Sequence, residues 1–109
     1  MIFGKYTINE IAAVLEKVVN RVTMTMIGAG SRLADAPDDY IVGQRFYVDT
    51  CQPLRCTFFI ELSIEAKKKI VEGVFGEKWS SLKNIQIDDC LLEFTGIVAG
   101  RAIAELTGG

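Results

Sequence analysis

From Thr7 onward, apolar residues return every three or four positions: Ile8, Ile11, Leu15, Val18, Val22 and Met26. That recurrence draws one apolar stripe along a helix, with Asn9, Glu16, Lys17 and Asn20 falling largely off it. Thr7 and Glu10 form a T-x-x-E capping box, and Gly28 stands where a helix of this register should stop. A core-packing helix is therefore predicted over residues 7–27. Gly30, Ser31, Pro37 and Asp38-Asp39 make the next stretch, 29–39, a connecting loop. The pattern then changes to β-branched and aromatic runs over about 40–50 and 54–62, including Ile41, Val42, Phe46, Tyr47 and Val48, then Phe58, Phe59 and Ile60. Gln52-Pro53 divides them, because proline cannot donate to a ladder, and a hairpin results. Gly43 is a candidate bulge.

Ser63 is placed to cap a second helix ending near Phe75, with Gly76 as its stop. Ile64, Lys67-Lys68, Val71 and Phe75 are expected to give it one buried and one wet face. Trp79 falls in a short connection that it should anchor. A third helix is expected from about Asp88 to Leu106, with Asp88 or Asp89 near its positive pole, before a frayed Gly108-Gly109 end. The order helix, hairpin, helix, helix makes this an α+β chain: one domain over residues 1–109, with no internal repeat or linker.

Composition narrows the function classes. Half of the chain is apolar and 24% is charged, with Lys+Arg 12 against Asp+Glu 14 and a net charge of −2. The densest cationic run, Lys67-Lys68-Lys69, is offset by Glu65 and Glu72 on the same predicted helix, so nucleic acid is not an expected partner. No stretch approaches the roughly 20 apolar residues that span a bilayer, and no secretory signal is visible at the N-terminus. Neither membrane association nor export is expected. Three cysteines without paired spacing point to a reducing, cytoplasmic setting. Cys51 and Cys56 flank the hairpin turn at a separation that permits a bridge, against which stands the reading of reduced thiols. Cys90 reads as a small core residue. Histidine is absent, which removes His-based acid–base chemistry and most zinc sites.

The candidate chemistry lies in the last helix, Asp88-Asp89-Cys90-Leu91-Leu92-Glu93-Phe94-Thr95-Gly96-Ile97-Val98-Ala99-Gly100-Arg101. Glu93, Gly96 and Gly100 are spaced i, i+3 and i+7 and share one face, which Ala104 continues. A glycine inside a helix costs about 1 kcal/mol relative to alanine, and two here suggest that something approaches the backbone closely. Close helix packing, within the fold or across a dimer, is one account of the glycines; an open docking face is the other. Glu93 is correspondingly either a solvated residue or a contact residue. Arg101 reads as a surface charge. A third and weaker reading, a small-molecule groove over the glycines, lacks polar anchors in the sequence.

This segment resembles the signature helix of the CheC/CheX chemotaxis phosphatase family, approximately D-x-x-x-E-x-x-N-x-x-x-G. Asp89, Glu93 and Gly100 match, while the asparagine position holds Gly96. The element order is similar to the CheX-like branch, in a shortened form without the further strands of that family. The resemblance implies a two-component signalling protein that meets the receiver domain of a response regulator through Asp89, Glu93, Gly96 and Gly100. In the family, the acid reaches the phosphorylated regulator and the amide orients the water that attacks the aspartyl phosphate. The regulator supplies Mg²⁺, so no cofactor of the chain's own is implied. With Gly96 in place of the amide, Glu93 is a catalytic residue of a partial motif only, and weak or no phosphatase activity is expected. Thr95 offers a hydroxyl, but about 100° around the helix from Gly96. Asp49 and Gln52 have the acid–amide spacing but fall at the turn. Two strands alone are marginal in water, so the resemblance and the open sheet together imply a half-domain completed by homodimerisation through the sheet. The alternative from another class is a non-catalytic oligomerisation module using the Gly96/Gly100 face.

Overall fold

The computed structural model describes residues 7–31, 45–50 and 55–108. The loop residues Pro37 and Asp38-Asp39, the bulge candidate Gly43, and Cys51 with the Gln52-Pro53 turn lie outside the described residues. Three helices and a two-stranded antiparallel sheet make up the rest, confirming the α+β class and its long N-terminal helix.

Helix α1 runs Ile8–Ile27. Thr7 Oγ1 accepts the Glu10 N–H at 3.1 Å, and Gly28 ends the helix with φ 68°, its N–H donating to Met24 O. Only glycine adopts that left-handed turn without steric cost. The chain then folds back on the helix, with Ser31 N–H donating to Asn20 Oδ1 at 2.9 Å and the buried Thr23 hydroxyl bonding Asn20 O and Ser31 Oγ.

Strands β1 (Arg45–Thr50) and β2 (Cys56–Glu61) pair from Arg45↔Glu61 to Thr50↔Cys56. Alternation sends Phe46, Val48, Phe58 and Ile60 toward the helices, where Phe46 is buried. The outer face carries Tyr47 against Phe59, ring centroids 5.8 Å apart, with the Arg45 guanidinium over Phe59 and bonded to Glu61 at 2.8 Å.

Helix α2 (Ile64–Phe75) is capped by Ser63 Oγ on the Ala66 N–H and ended by Gly76, as the sequence predicts. Its buried face differs from expectation. Ile64 is 60% exposed and Phe75 is also exposed, whereas Lys67, Ile70 and Val71 are buried. Ile64 opens the helix, before α2 has reached its neighbours, and the aliphatic stem of Lys67 fills the apolar position one turn on. Gly73 lets α2 close on the end of α1: a Cβ there would meet Ile27 Cγ2 at 2.4 Å. Glu72 does not pair with the lysine run; it accepts the Trp79 N–H at 2.8 Å, fastening the short 3-10 turn Trp79–Ser81. Trp79 packs against the core, so the anchor reading holds.

Helix α3 spans Asn84–Leu106, one turn longer at its N-terminus than Asp88–Leu106. The Lys83 N–H donates to Gln86 Oε1 at 2.9 Å, which allows the helix to begin there without a Ser, Thr or Asp cap. Asp88 and Asp89 are consequently past the first turn, which contains no acid, and away from the positive pole. This helix touches α1, α2 and both strands. Leu91, Phe94, Val98 and Ala102 form its buried seam, meeting Val18 and Val22 of α1, Phe46 of β1 and Ile70 and Val71 of α2 in one core.

Candidate functional site on the outer face of the last helix

The core seam of α3 determines what remains outside it. At about 100° per residue, Asp89, Gly96, Gly100 and Ala104 all lie within about 60° of Glu93, on a strip roughly 22 Å long. Leu91, Thr95, Val98 and Ala102 lie on the opposite side. The burial pattern follows this geometry: Asp89, Glu93, Gly100 and Ala104 are exposed and Gly96 half-exposed, while the seam residues are buried. All four residues assigned to partner binding are therefore brought together on one accessible face.

Among the described residues nothing packs against the glycines. A Cβ added to Gly96 or Gly100 would meet nothing within 4 Å. The strip is thus bare backbone, with the helix penalty of two glycines uncompensated by any contact among the described residues. Glu93 makes no hydrogen bond or ion pair with another described residue. Its one internal consequence is on Cys90, whose thiol is pushed up, first by burial and then by the Glu93 charge. Cys90 itself is a core residue, as its sequence context suggests.

Thr95 and Asp49 do not join Glu93 on this face. The Thr95 hydroxyl is fully buried and donates to Leu91 O at 2.8 Å, so it is turned inward and already engaged. Asp49 accepts the Thr57 hydroxyl at 2.7 Å on the outer hairpin face, remote in register from α3's strip, and Gln52 lies outside the described residues. Cys56 is a free thiol, while Cys51 lies outside the described residues. Arg101 is exposed, consistent with a surface charge. Among the described residues no group of three Cys, Asp or Glu side chains is placed to hold a metal ion. No described helix is long and apolar enough to cross a membrane.

The arrangement offers an acidic, flat and sterically open helix face: one carboxylate at 93, a second at 89, and backbone accessible at 96 and 100. Such a face can dock against a cationic or closely approaching surface, and position 96 holds no side chain to orient a water beside Glu93. No protein-family model, curated protein or solved structure matches the chain.

Proposed function

We propose that this chain is a CheC/CheX-like signalling protein that binds the receiver domain of a response regulator through the Asp89–Glu93–Gly96–Gly100 face, with weak or no phosphatase activity. The observation that carries the reading is Glu93, exposed and without a hydrogen bond or ion pair among the described residues, beside helix backbone over which no described residue packs. Glu93 meets a cation on the receiver, and the bare strip lets the receiver lie against the helix, with room at 96 for a side chain. The receiver brings its own Mg²⁺ and phosphoryl group, so this chain contributes position and charge only. Without the amide at 96, the attacking water is unheld, a loss of about two to four orders of magnitude by the usual worth of a positioned group. The test is to incubate the protein with an acyl-phosphorylated receiver while following both complex formation and phosphate release. Binding with slow release is expected, with Gly96→Asn accelerating release and Glu93→Gln weakening the complex. Absence of any complex removes the proposal.

A second reading is self-association, favoured by a separate observation. The outer face of the hairpin exposes Tyr47 at 55% and Phe59 at 53%, on a sheet with only two strands among the described residues. A homodimer stacking the outer faces of two hairpins would cover that pair and give each two-stranded sheet a partner sheet. Sedimentation at micromolar concentration decides it: a dimer that Phe59→Glu dissociates is expected, and a persistent wild-type monomer refutes it. The Gly96/Gly100 face remains the competing oligomer surface, in which case Gly96→Leu, and not Phe59→Glu, breaks the assembly.

A further inference from the structure

Ile85 and Leu92, 66% and 47% exposed, are among the large apolar side chains that the fold leaves in water, and both stand on α3. With Asp89 and Gly96 they follow the spacing i, i+4, i+7 and i+11, so the four fall within about 60° of one another over roughly 16 Å. Ala99 and Ile103 continue that side and are buried. The stripe is thus a packing surface that the described fold covers only toward its C-terminal end. Its width is that of a seam between two helices; a core-facing side is wider, about 100° or more. At Gly96 nothing stands within 4 Å of an added Cβ, which leaves room for a side chain from a facing helix. Asp88 lies about 70° to one side of the stripe and Glu93 about 70° to the other, the flanks from which charged side chains reach across such a seam. Both are exposed, and with Asp89 they are the only charged residues between 84 and 100. None of the three has a hydrogen bond or ion pair among the described residues.

We infer that this stripe docks an amphipathic helix whose apolar seam is flanked by lysine or arginine. Charge selects that occupant: a second copy of the stripe would set acid against acid, whereas basic flanks meet Asp88 on one side and Glu93 on the other. The inference rests on the receiver reading and names the part of the receiver that makes contact. Its helix lies along the first half of α3, burying Ile85 and Leu92 beside the Glu93 face. Apolar burial supplies affinity, and the flanking acids fix register and speed encounter.

The test is the affinity of the full chain for the same acyl-phosphorylated receiver, measured by titration calorimetry. Ile85→Gln and Leu92→Gln should each weaken the complex about tenfold, the worth of burying one such side chain. Asp88→Lys lies outside the Asp89–Glu93–Gly96–Gly100 face, so receiver docking through that face alone predicts no loss from it. Here it should weaken the complex at least about tenfold at low salt and less at high salt. All three positions are exposed, so native circular dichroism is expected throughout. A complex that depends on Glu93 but keeps wild-type affinity in either Ile85→Gln/Leu92→Gln or Asp88→Lys overturns this inference and leaves receiver docking standing. Absence of any complex overturns both. Should the glutamine variant lose its native circular dichroism, Asp88→Lys decides alone, and unchanged affinity overturns the inference equally.

Discussion

Replacing glycine by alanine at three helix positions should move stability in opposite directions, and the sign at each is set by what a single methyl would touch. At Gly96 and Gly100 the new Cβ meets nothing within 4 Å, and neither glycine has a positive φ. The substitution then collects the full helix preference of alanine, about 1 kcal/mol per site, with no steric debit. At Gly73 the same methyl would fall 2.4 Å from Ile27 Cγ2 and 2.7 Å from Ile27 Cβ, far inside contact distance. Overpacking of that kind costs about 1–3 kcal/mol, which more than cancels the propensity gain and leaves a net loss of about 1 kcal/mol. For 109 residues the unfolding entropy is roughly 230 cal/mol/K, so each kcal/mol is worth about 4 °C in Tm. The double variant Gly96→Ala/Gly100→Ala should therefore melt about 8–9 °C higher than wild type, and Gly73→Ala about 4 °C lower. Circular dichroism melts at several protein concentrations measure this. A fall in Tm for Gly96→Ala or Gly100→Ala, growing with protein concentration, would refute the open-face description and place a second subunit on the strip. Receiver docking predicts a different pattern: a more stable protein whose Tm does not depend on concentration and whose complex with the receiver still depends on Glu93.

Three further outcomes follow from packing and charge. Phe94 is 1% exposed at the middle of the α3 seam, so Phe94→Ala should cost about 3–5 kcal/mol in urea unfolding; a loss below 1 kcal/mol would mean the core is loosely filled. The Glu105 carboxyl lies below its ordinary value of 4.5, chiefly through its hydrogen bond to Lys17 and that residue's charge. A lowered folded-state pKa gives stability that is present above the unfolded pKa and lost as pH falls through the folded one. The advantage of wild type over Glu105→Gln should thus be flat near neutrality and vanish on acidification below about 4.5; it should also shrink in high salt, because the pair is exposed. An advantage that grows on acidification would contradict the sign. Among the described thiols, Cys56 should alkylate in the native protein at mildly alkaline pH while Cys90, buried and with its pKa raised, reacts only on unfolding, as peptide mass spectrometry can follow. Comparable native rates would show that α3 opens locally.

The parts of the fold that were readable in advance are those where one side chain performs a local task. Thr7 and Ser63 end up bonding the first-turn amides, and Gly28 and Gly76 adopt the left-handed turn, because caps act within four residues. The start of α3 escaped for the same reason: Gln86 reaches back to the Lys83 N–H, and no Ser, Thr or Asp stands at the cap position to announce it. The wet and dry faces of α2 were misassigned because Lys67 counts as polar in any pattern, although its stem is apolar and tertiary packing chose to bury it. The glycine strip could be seen from spacing alone, but its exposure depends on which way α3 turns against three other elements.

One ion-pair cluster joins the two ends of the described fold. Lys17 and Arg21 of α1 both reach Glu105, at 3.0 and 3.4 Å and sequence separations of 88 and 84 residues. During synthesis at about 5–20 residues per second, the first helix must wait some 4–18 s for the segment that clasps it. Until the second helix emerges the side of α1 bearing Val18 and Val22 has no native shelter, and afterwards it still lacks the α3 seam that completes the core. The nascent chain therefore has a long window in which chaperones, or aggregation, can reach its earliest apolar surface.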